Sequence, residues 1–93
     1  MLHRGVKWLK KSIEGEIVAS EVKPIGDTGL FEGIITVKRP DGELVRIEVS
    51  SYTSFTTLDE GDVVKVDVEH YSTTQNFYAT NVVALRKHVM NWI

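Results

Sequence analysis

Apolar residues recur at two different spacings along the chain, and the change in spacing divides it into segments. Four apolar residues near the N-terminus follow one another at intervals of four, three and four: Leu2, Val6, Leu9 and Ile13. This is the spacing of one face of an α-helix. We therefore predict an amphipathic helix over residues 1–13, with Trp8 beside its apolar stripe.

From Glu14 onwards the apolar spacing is two, which is typical of β-strands. The pattern predicts five strands, in residues 14–25, 30–38, 43–50, around Val64 to Val68, and 77–85. The first strand carries apolar residues on both parities, which indicates a bulge or a strand buried partly on both faces. Gly33, inside the second strand, indicates a bulge or a close backbone approach.

The alternation also predicts which side chains of these strands face the core. In the third and fourth strands the inward residues are valines and one isoleucine: Val45, Ile47, Val49, Val64, Val66 and Val68. In the fifth strand four residues are predicted to point inward: Phe77, Ala79, Val83 and Leu85. Tyr78 and Thr80 would then point outward, because successive side chains of a strand face opposite sides.

The turns fit the same arrangement. The stretch RPDGE, residues 39–43, predicts a hairpin, because proline presets one turn position and glycine supplies a positive φ. Residues 51–61 have no clear period and are predicted to form a connection with a short helical turn, in which Phe55 and Leu58 plug one end of the core.

Three strands, a longer connection and two more strands form the order of an oligonucleotide/oligosaccharide-binding (OB) barrel. We predict one all-β domain over residues 1–93, with a five-stranded antiparallel OB-type barrel over residues 14–85. Helical segments would flank the barrel, the second being a tail or short helix over residues 86–93. Another small antiparallel barrel is the alternative.

Charge is distributed unevenly, although the net charge is only −2. Residues 1–13 and 86–93 carry six basic residues and no acidic one, whereas the stretch between them carries five basic residues and all 13 acidic ones. The basic ends either pack against the acidic middle or form a patch for an anionic partner.

Composition and motifs exclude several classes of chemistry. The chain has no cysteine, which rules out disulfides and thiolate metal sites and fits a reducing, cytoplasmic location. It has no apolar run long enough for a membrane-spanning helix. The three histidines, His3, His70 and His88, have no catalytic motif and no metal-binding spacing. We therefore expect no catalytic residues, no metal, no cofactor and no enzymatic activity.

Three stretches resemble cold-shock domains: LDEGDVVKVDVE at residues 58–69, ATNVVAL at residues 79–85, and VKRPDGELVRIEVSS at residues 37–51. The resemblance covers residues 14–85 and implies an OB fold that binds single-stranded RNA or DNA by stacking bases on exposed aromatic residues. The aromatic motifs of that family are not retained. Glu32 and Ile34 occupy the positions of these aromatic residues on the second strand, and Arg46 and Glu48 occupy the corresponding positions on the third.

We therefore expect a nucleic-acid site built from other residues. Basic residues near the ends would hold phosphates: Arg4, Lys7, Lys10, Lys11, Arg86 and Lys87. Tyr52, Tyr71 and Tyr78 would stack bases. Arg46, on the outward face of the third strand, would either pair with a neighbouring carboxylate or join this set.

Two other interpretations use different surfaces. In the first, the chain is a protein-interaction or adaptor domain that meets a partner or a second copy through its acidic face or its tryptophan-bearing ends, at Trp8 and Trp92. In the second, residues 1–13 attach the protein to a membrane surface as a basic amphipathic helix.

Overall fold

The computed structural model describes residues 8–71 and 76–86, and these residues form strands and turns without a helix. Six strands are present: β1 (Trp8–Pro24), β2 (Phe31–Lys38), β3 (Leu44–Val49), β4 (Ser54–Phe55), β5 (Val63–Tyr71) and β6 (Phe77–Arg86). The all-β prediction is therefore confirmed for this part of the chain, and β1, β2, β3, β5 and β6 correspond to the five predicted strands.

The five long strands form a closed ring of sheet hydrogen bonds. β1 pairs antiparallel with β2 and with β5, β2 pairs with β3, and β5 pairs with β6. A short parallel pairing of β3 with β6, Ile47 with Phe77 and Glu48 with Tyr78, closes the ring. The two-residue β4 adds to β6 at Asn81 and Val82.

The core lies inside this ring and consists of the inward residues of every long strand. Its fully buried side chains are Ile13, Ile17, Ile35, Val37, Ile47, Val49, Val64, Val66, Val68 and Val82. The alternation predicted for β3 and β5 is confirmed. Burial of each such side chain contributes about 1.5–3 kcal/mol, so these residues provide most of the driving force for closing the ring.

The predicted irregularities of the first two strands are present. The register of β1 against β2 shifts between Ile17 and Ala19, which is the bulge that the mixed apolar pattern indicated. Gly33 has a φ of 146°, and a Cβ at this position would overlap the backbone of Glu21 in β1. Only glycine allows this approach, because it lacks a Cβ and tolerates positive φ.

The parity predicted for the second half of β6 is wrong. Val82 is fully buried, whereas Val83 is 37% exposed and Leu85 is 53% exposed. Val68 pairs with Ala79 and Asp67 with Asn81, so Thr80 is an extra residue in β6. One inserted residue reverses which parity faces the core, and a simple alternation does not anticipate it.

The predicted N-terminal helix is also wrong over the residues that the structure describes. Residues 8–13 are the start of β1, and they pair with β5 from Trp8–Tyr71 to Ile13–Val66. Leu9 and Ile13 are four residues apart, a spacing that fits one face of a helix and one face of a strand equally well. Pairing with β5 decides between the two. Residues 1–7 lie outside the described part of the chain.

The predicted C-terminal tail or short helix, residues 86–93, can be compared with the structure only at its first residue. Arg86 is the last residue of β6 and not part of a helix. The rest of that segment, residues 87–93, lies outside the described ranges.

The connection before β5 is fixed by buried polar contacts, and β4 takes the place of the predicted helical turn. Thr57 donates its hydroxyl proton to Asp62 Oδ2 over 2.6 Å, and both residues are buried. The neighbouring backbone holds the β1 bulge, since Ile17 donates to the carbonyl of Asp62 and Gly61 donates to that of Ile17. Phe55 and Leu58 pack at this end of the core, as predicted.

Candidate functional site

Three aromatic residues meet on the outer face of the sheet formed by β1, β5 and β6. Trp8 begins β1 and pairs directly with Tyr71 at the end of β5. Tyr78, near the start of β6, pairs with Glu69, which is two residues before Tyr71 and on the same face. The register of three strands therefore brings Trp8, Tyr71 and Tyr78 together, and these residues are called the aromatic cluster below.

The rings of the aromatic cluster are in contact and remain open to solvent. The Trp8 and Tyr71 ring centroids are 4.5 Å apart with an interplanar angle of 63°. Those of Trp8 and Tyr78 are 6.3 Å apart and close to parallel, at 24°. Trp8 is 45% exposed and Tyr71 is 46% exposed. Aromatic pairs in such geometries contribute about 0.5–1.5 kcal/mol beyond area burial, so the cluster is a preformed aromatic surface.

Glu69 fixes the orientation of the indole. Trp8 Nε1 donates to Glu69 Oε1 over 2.6 Å. Lys10 Nζ lies 4.0 Å from Glu69 Oε2, and its side chain is 76% exposed. An ion pair this exposed is worth little, so the ammonium group can exchange Glu69 for another anion at small cost.

A groove of about 310 Å³ continues from the aromatic cluster along the same three strands. We call it the polar groove; its lining residues are Lys10, Lys11, Ser12, Asp67, Val68, Glu69 and Thr80. Ser12 Oγ donates to Asp67 Oδ1 over 2.9 Å, and Thr80 Oγ1 donates to the Asp67 carbonyl over 3.2 Å. The extra residue in β6 thus contributes its hydroxyl to the groove.

Lys11 belongs mainly to the opposite face of β1. Its Nζ lies 4.9 Å from the centroid of the Phe77 ring, a cation–π geometry. His70 packs on the same ring with a centroid distance of 5.0 Å. The predicted pair Lys10 and Lys11 is therefore divided, with only the ammonium of Lys10 close to the aromatic cluster.

Arg46 lies in a second cleft, of about 350 Å³, along the free part of β3 beside the start of β6. Its neighbours there include Ile34, Leu44, Glu48 and Phe77. No carboxylate of the described residues lies within 4.0 Å of the Arg46 guanidinium, so the ion pair that was one of its two expected roles is not formed within this part of the chain. The outer face of β2 and β3 carries Glu32, Ile34, Arg46 and Glu48, as the sequence indicated, and no aromatic residue.

The other predicted site residues are not brought to the aromatic cluster. Tyr52 is 91% exposed in the turn after β3 and has no ring contact with the described aromatic residues. Arg86 pairs with Val63 at the opposite end of β5 from Tyr71, about 26 Å away along the strand. Arg4, Lys7 and Lys87 lie outside the described residues, as does Trp92.

Tyr71 and Tyr78 were predicted as stacking residues, whereas Trp8 and the polar groove were not predicted to lie beside them. Assigning residues 8–13 to a helix separated Trp8 from Tyr71. A strand period is also present there, because Trp8, Lys10 and Ser12 alternate with Leu9, Lys11 and Ile13. That alternation was the signal that would have placed Trp8 and Ser12 on one outer face.

Comparison with protein-family models, with curated proteins and with solved structures found no match for the chain. Within residues 8–71 and 76–86, no helix is both long enough and apolar enough to cross a bilayer. The same ranges contain no group of three or more histidine, aspartate or glutamate side chains placed to hold a metal ion.

Proposed function

We propose that the chain is an OB-type barrel module without enzymatic activity that binds single-stranded RNA or DNA in the cytoplasm. The strand arrangement supports the fold assignment. Five long strands lie in one closed ring, which suits a fold defined as a five-stranded, partly open barrel. The likeness of residues 14–85 to cold-shock domains points to the same class of ligand.

The observation that carries the proposal is the aromatic cluster with Lys10 beside it. Single-strand binders combine rings on which bases stack with cations that contact the backbone phosphates. Trp8 and Tyr71 present ring surface to solvent, and Lys10 extends an exposed ammonium group from the same face. The surface is displaced from the β2–β3 face, which explains how the chain can bind bases without the aromatic residues of the cold-shock motifs.

Ring deletion tests the proposal. Binding of fluorescein-labelled single-stranded RNA and DNA is measured by anisotropy for the wild type and for Trp8→Ala, Tyr71→Ala and Tyr78→Ala. Because a stacked base contributes about 1–3 kcal/mol, each variant should bind about 5- to 150-fold more weakly. Tyr52→Ala is the matched control, since it removes an exposed tyrosine outside the cluster and should leave the affinity unchanged.

Absence of any oligonucleotide binding by the wild type at low salt would contradict the proposal. Equal losses in Tyr52→Ala and the cluster variants would also contradict it, because they would show that the aromatic cluster has no special role. Thermal unfolding of each variant, followed by circular dichroism, separates loss of binding from loss of the fold.

A protein-interaction module is the second candidate, and the carboxylates around the cluster favour it. Tyr78 has Glu48 as its neighbour on β3 and Glu69 as its neighbour on β5. Aromatic rings between carboxylates suit a cationic protein surface as well as a nucleobase. Oligonucleotide titration discriminates the two, since this candidate predicts no binding, whereas sedimentation would show self-association if the partner is a second copy.

A further inference from the structure

The carboxylates near the aromatic cluster oppose phosphate binding, yet they lie where the edge of a stacked base would reach. On the outer face, Lys10 pairs with Glu69 and Ser12 pairs with Asp67, so the polar groove begins one step along the strands from Tyr78. Residues two apart on one face of a strand are about 6.6 Å apart, a distance comparable to the width of a nucleobase. A base stacked on Tyr78 or Trp8 would therefore direct one edge into the polar groove.

Hydrogen bonds within the groove leave one acceptor open. Asp67 Oδ1 accepts from Ser12, and Glu69 Oε1 accepts from Trp8. Glu69 Oε2 faces Lys10 at 4.0 Å. Among the described residues, Asp67 Oδ2 has no hydrogen-bond donor, and the hydroxyl of Thr80 is already directed to the Asp67 carbonyl. Ser12 holds the Asp67 carboxylate in place, and Asp67 is one of the residues that line the groove.

A fixed carboxylate selects among the four bases by their donor patterns. An ionised carboxylate only accepts hydrogen bonds, and each of its oxygens has two lone pairs, so Asp67 Oδ1 can accept from a base as well as from Ser12. Guanine alone presents two adjacent donors on its pairing edge, the N1 imino and N2 amino groups. Adenine and cytosine place a ring acceptor beside their amino donor, and uracil and thymine place carbonyls on both sides of their imino donor. Asp67 is half-buried, and two acceptors that face each other form no hydrogen bond and repel, so these bases bind less well.

We propose that Asp67, positioned by Ser12, gives the surface a preference for guanine in single-stranded RNA or DNA. The inference rests on the proposed function and names the base that it favours. It also gives an acidic residue of this face a role, because Asp67 would recognise base donors while Lys10 contacts a phosphate.

The test compares oligonucleotides that differ by one amino group. Anisotropy titrations use dodecamers that alternate thymine with guanine, inosine, adenine or cytosine; inosine is guanine without the N2 amino group. A bidentate contact discriminates by about 1–3 kcal/mol, so the guanine dodecamer should bind about 5- to 150-fold more tightly than the cytosine or adenine dodecamers. The inosine dodecamer should fall between them.

Asp67→Asn should remove this preference, because an amide places a donor where a carboxylate oxygen was. Asp27→Asn is the matched control: it removes the same charge from an exposed turn between β1 and β2 and should keep the guanine preference. Ratios between oligonucleotides are compared, so a general gain in affinity from the lost charge does not affect the result.

Two results would overturn the inference while leaving the proposed function in place. The first is equal binding of the guanine and inosine dodecamers by the wild type, which needs no variant to fold. The second is a guanine preference that persists in Asp67→Asn. Failure of every dodecamer to bind would overturn both the inference and the proposed function.

Discussion

Replacing Thr57 with valine tests the contact that fixes the connection before β5. Valine has the shape of threonine but no hydroxyl group, so the variant removes the 2.6 Å hydrogen bond to Asp62 Oδ2 without leaving a cavity. It also removes the acceptor for the backbone N–H of Asp59, 3.1 Å from the Thr57 hydroxyl. Thr57 is 4% exposed and Asp62 is 2% exposed, so water is poorly placed to replace the hydrogen bond between them.

The expected loss of stability follows from these two contacts. Removing one partner of a buried hydrogen bond costs about 1–3 kcal/mol, and losing an ordinary one costs about 1 kcal/mol. We therefore expect Thr57→Val to lower the free energy of unfolding by about 2–4 kcal/mol. For a domain of this size, a loss of about 2 kcal/mol lowers Tm by roughly 8–16 °C.

Thermal and urea unfolding, followed by circular dichroism, measure the effect. The urea midpoint should fall with little change in the m value, because the same surface is exposed on unfolding. Thr57→Ser keeps the hydroxyl group and loses one buried methyl group, so it should cost about 0.5–1.5 kcal/mol. A Thr57→Val protein that unfolds like the wild type would contradict this expectation, because it would show that the hydroxyl group does not stabilise the connection.

Three further predictions concern other parts of the ring. Gly33→Ala should lose more stability than Gly26→Ala in urea unfolding. Both glycines have a positive φ, but only at Gly33 would an added Cβ overlap another strand. Equal losses of stability would contradict the close approach of the strands. Val82→Ala should lose about 1.5–3 kcal/mol and Val83→Ala much less, and the reverse order would restore the simple alternation in β6. Lys10→Ala should reduce the slope of log affinity against log salt by about 0.7, and an unchanged slope would show that Lys10 contacts no phosphate.

The long strands and most of the core could be predicted from the sequence because their apolar spacing is regular. Val64, Val66 and Val68 alternate with charged residues, and the structure buries all three. A two-residue period has one interpretation when one face is apolar and the other is charged. The hairpin at residues 39–43 was also predictable, since proline, aspartate and glycine occupy the positions at which a turn favours them.

The errors occur where the local pattern has two solutions or is interrupted. Leu9 and Ile13 fit a helix and a strand, and only pairing with β5 distinguishes them. The inward positions after Ala79 change because Thr80 is an extra residue, and an insertion in one strand is visible only against its partner.

The candidate site was predictable only in part. Its residues come from three strands that are far apart in sequence, so its assembly depends on register. Tyr71 and Tyr78 could be selected as exposed tyrosines, but Trp8 joins them only because β1 extends back to residue 8 and pairs with the end of β5. The alternation places Asp67 on the outer face of the fourth predicted strand, but its hydrogen bond to Ser12 links two residues that lie 55 positions apart.

The indole N–H resonance of Trp8 offers the most direct test of the aromatic cluster as a binding surface. Two-dimensional ¹H–¹⁵N spectra of the labelled protein are recorded during titration with a single-stranded oligonucleotide, and the Trp8→Phe variant identifies the resonance. We expect this signal to shift together with the amides of Glu69, Tyr71 and Tyr78, because the indole donates to Glu69 and its ring contacts both tyrosines. A Trp8 signal that stays in place, with shifts at Leu44 and Arg46 or nowhere, would contradict it.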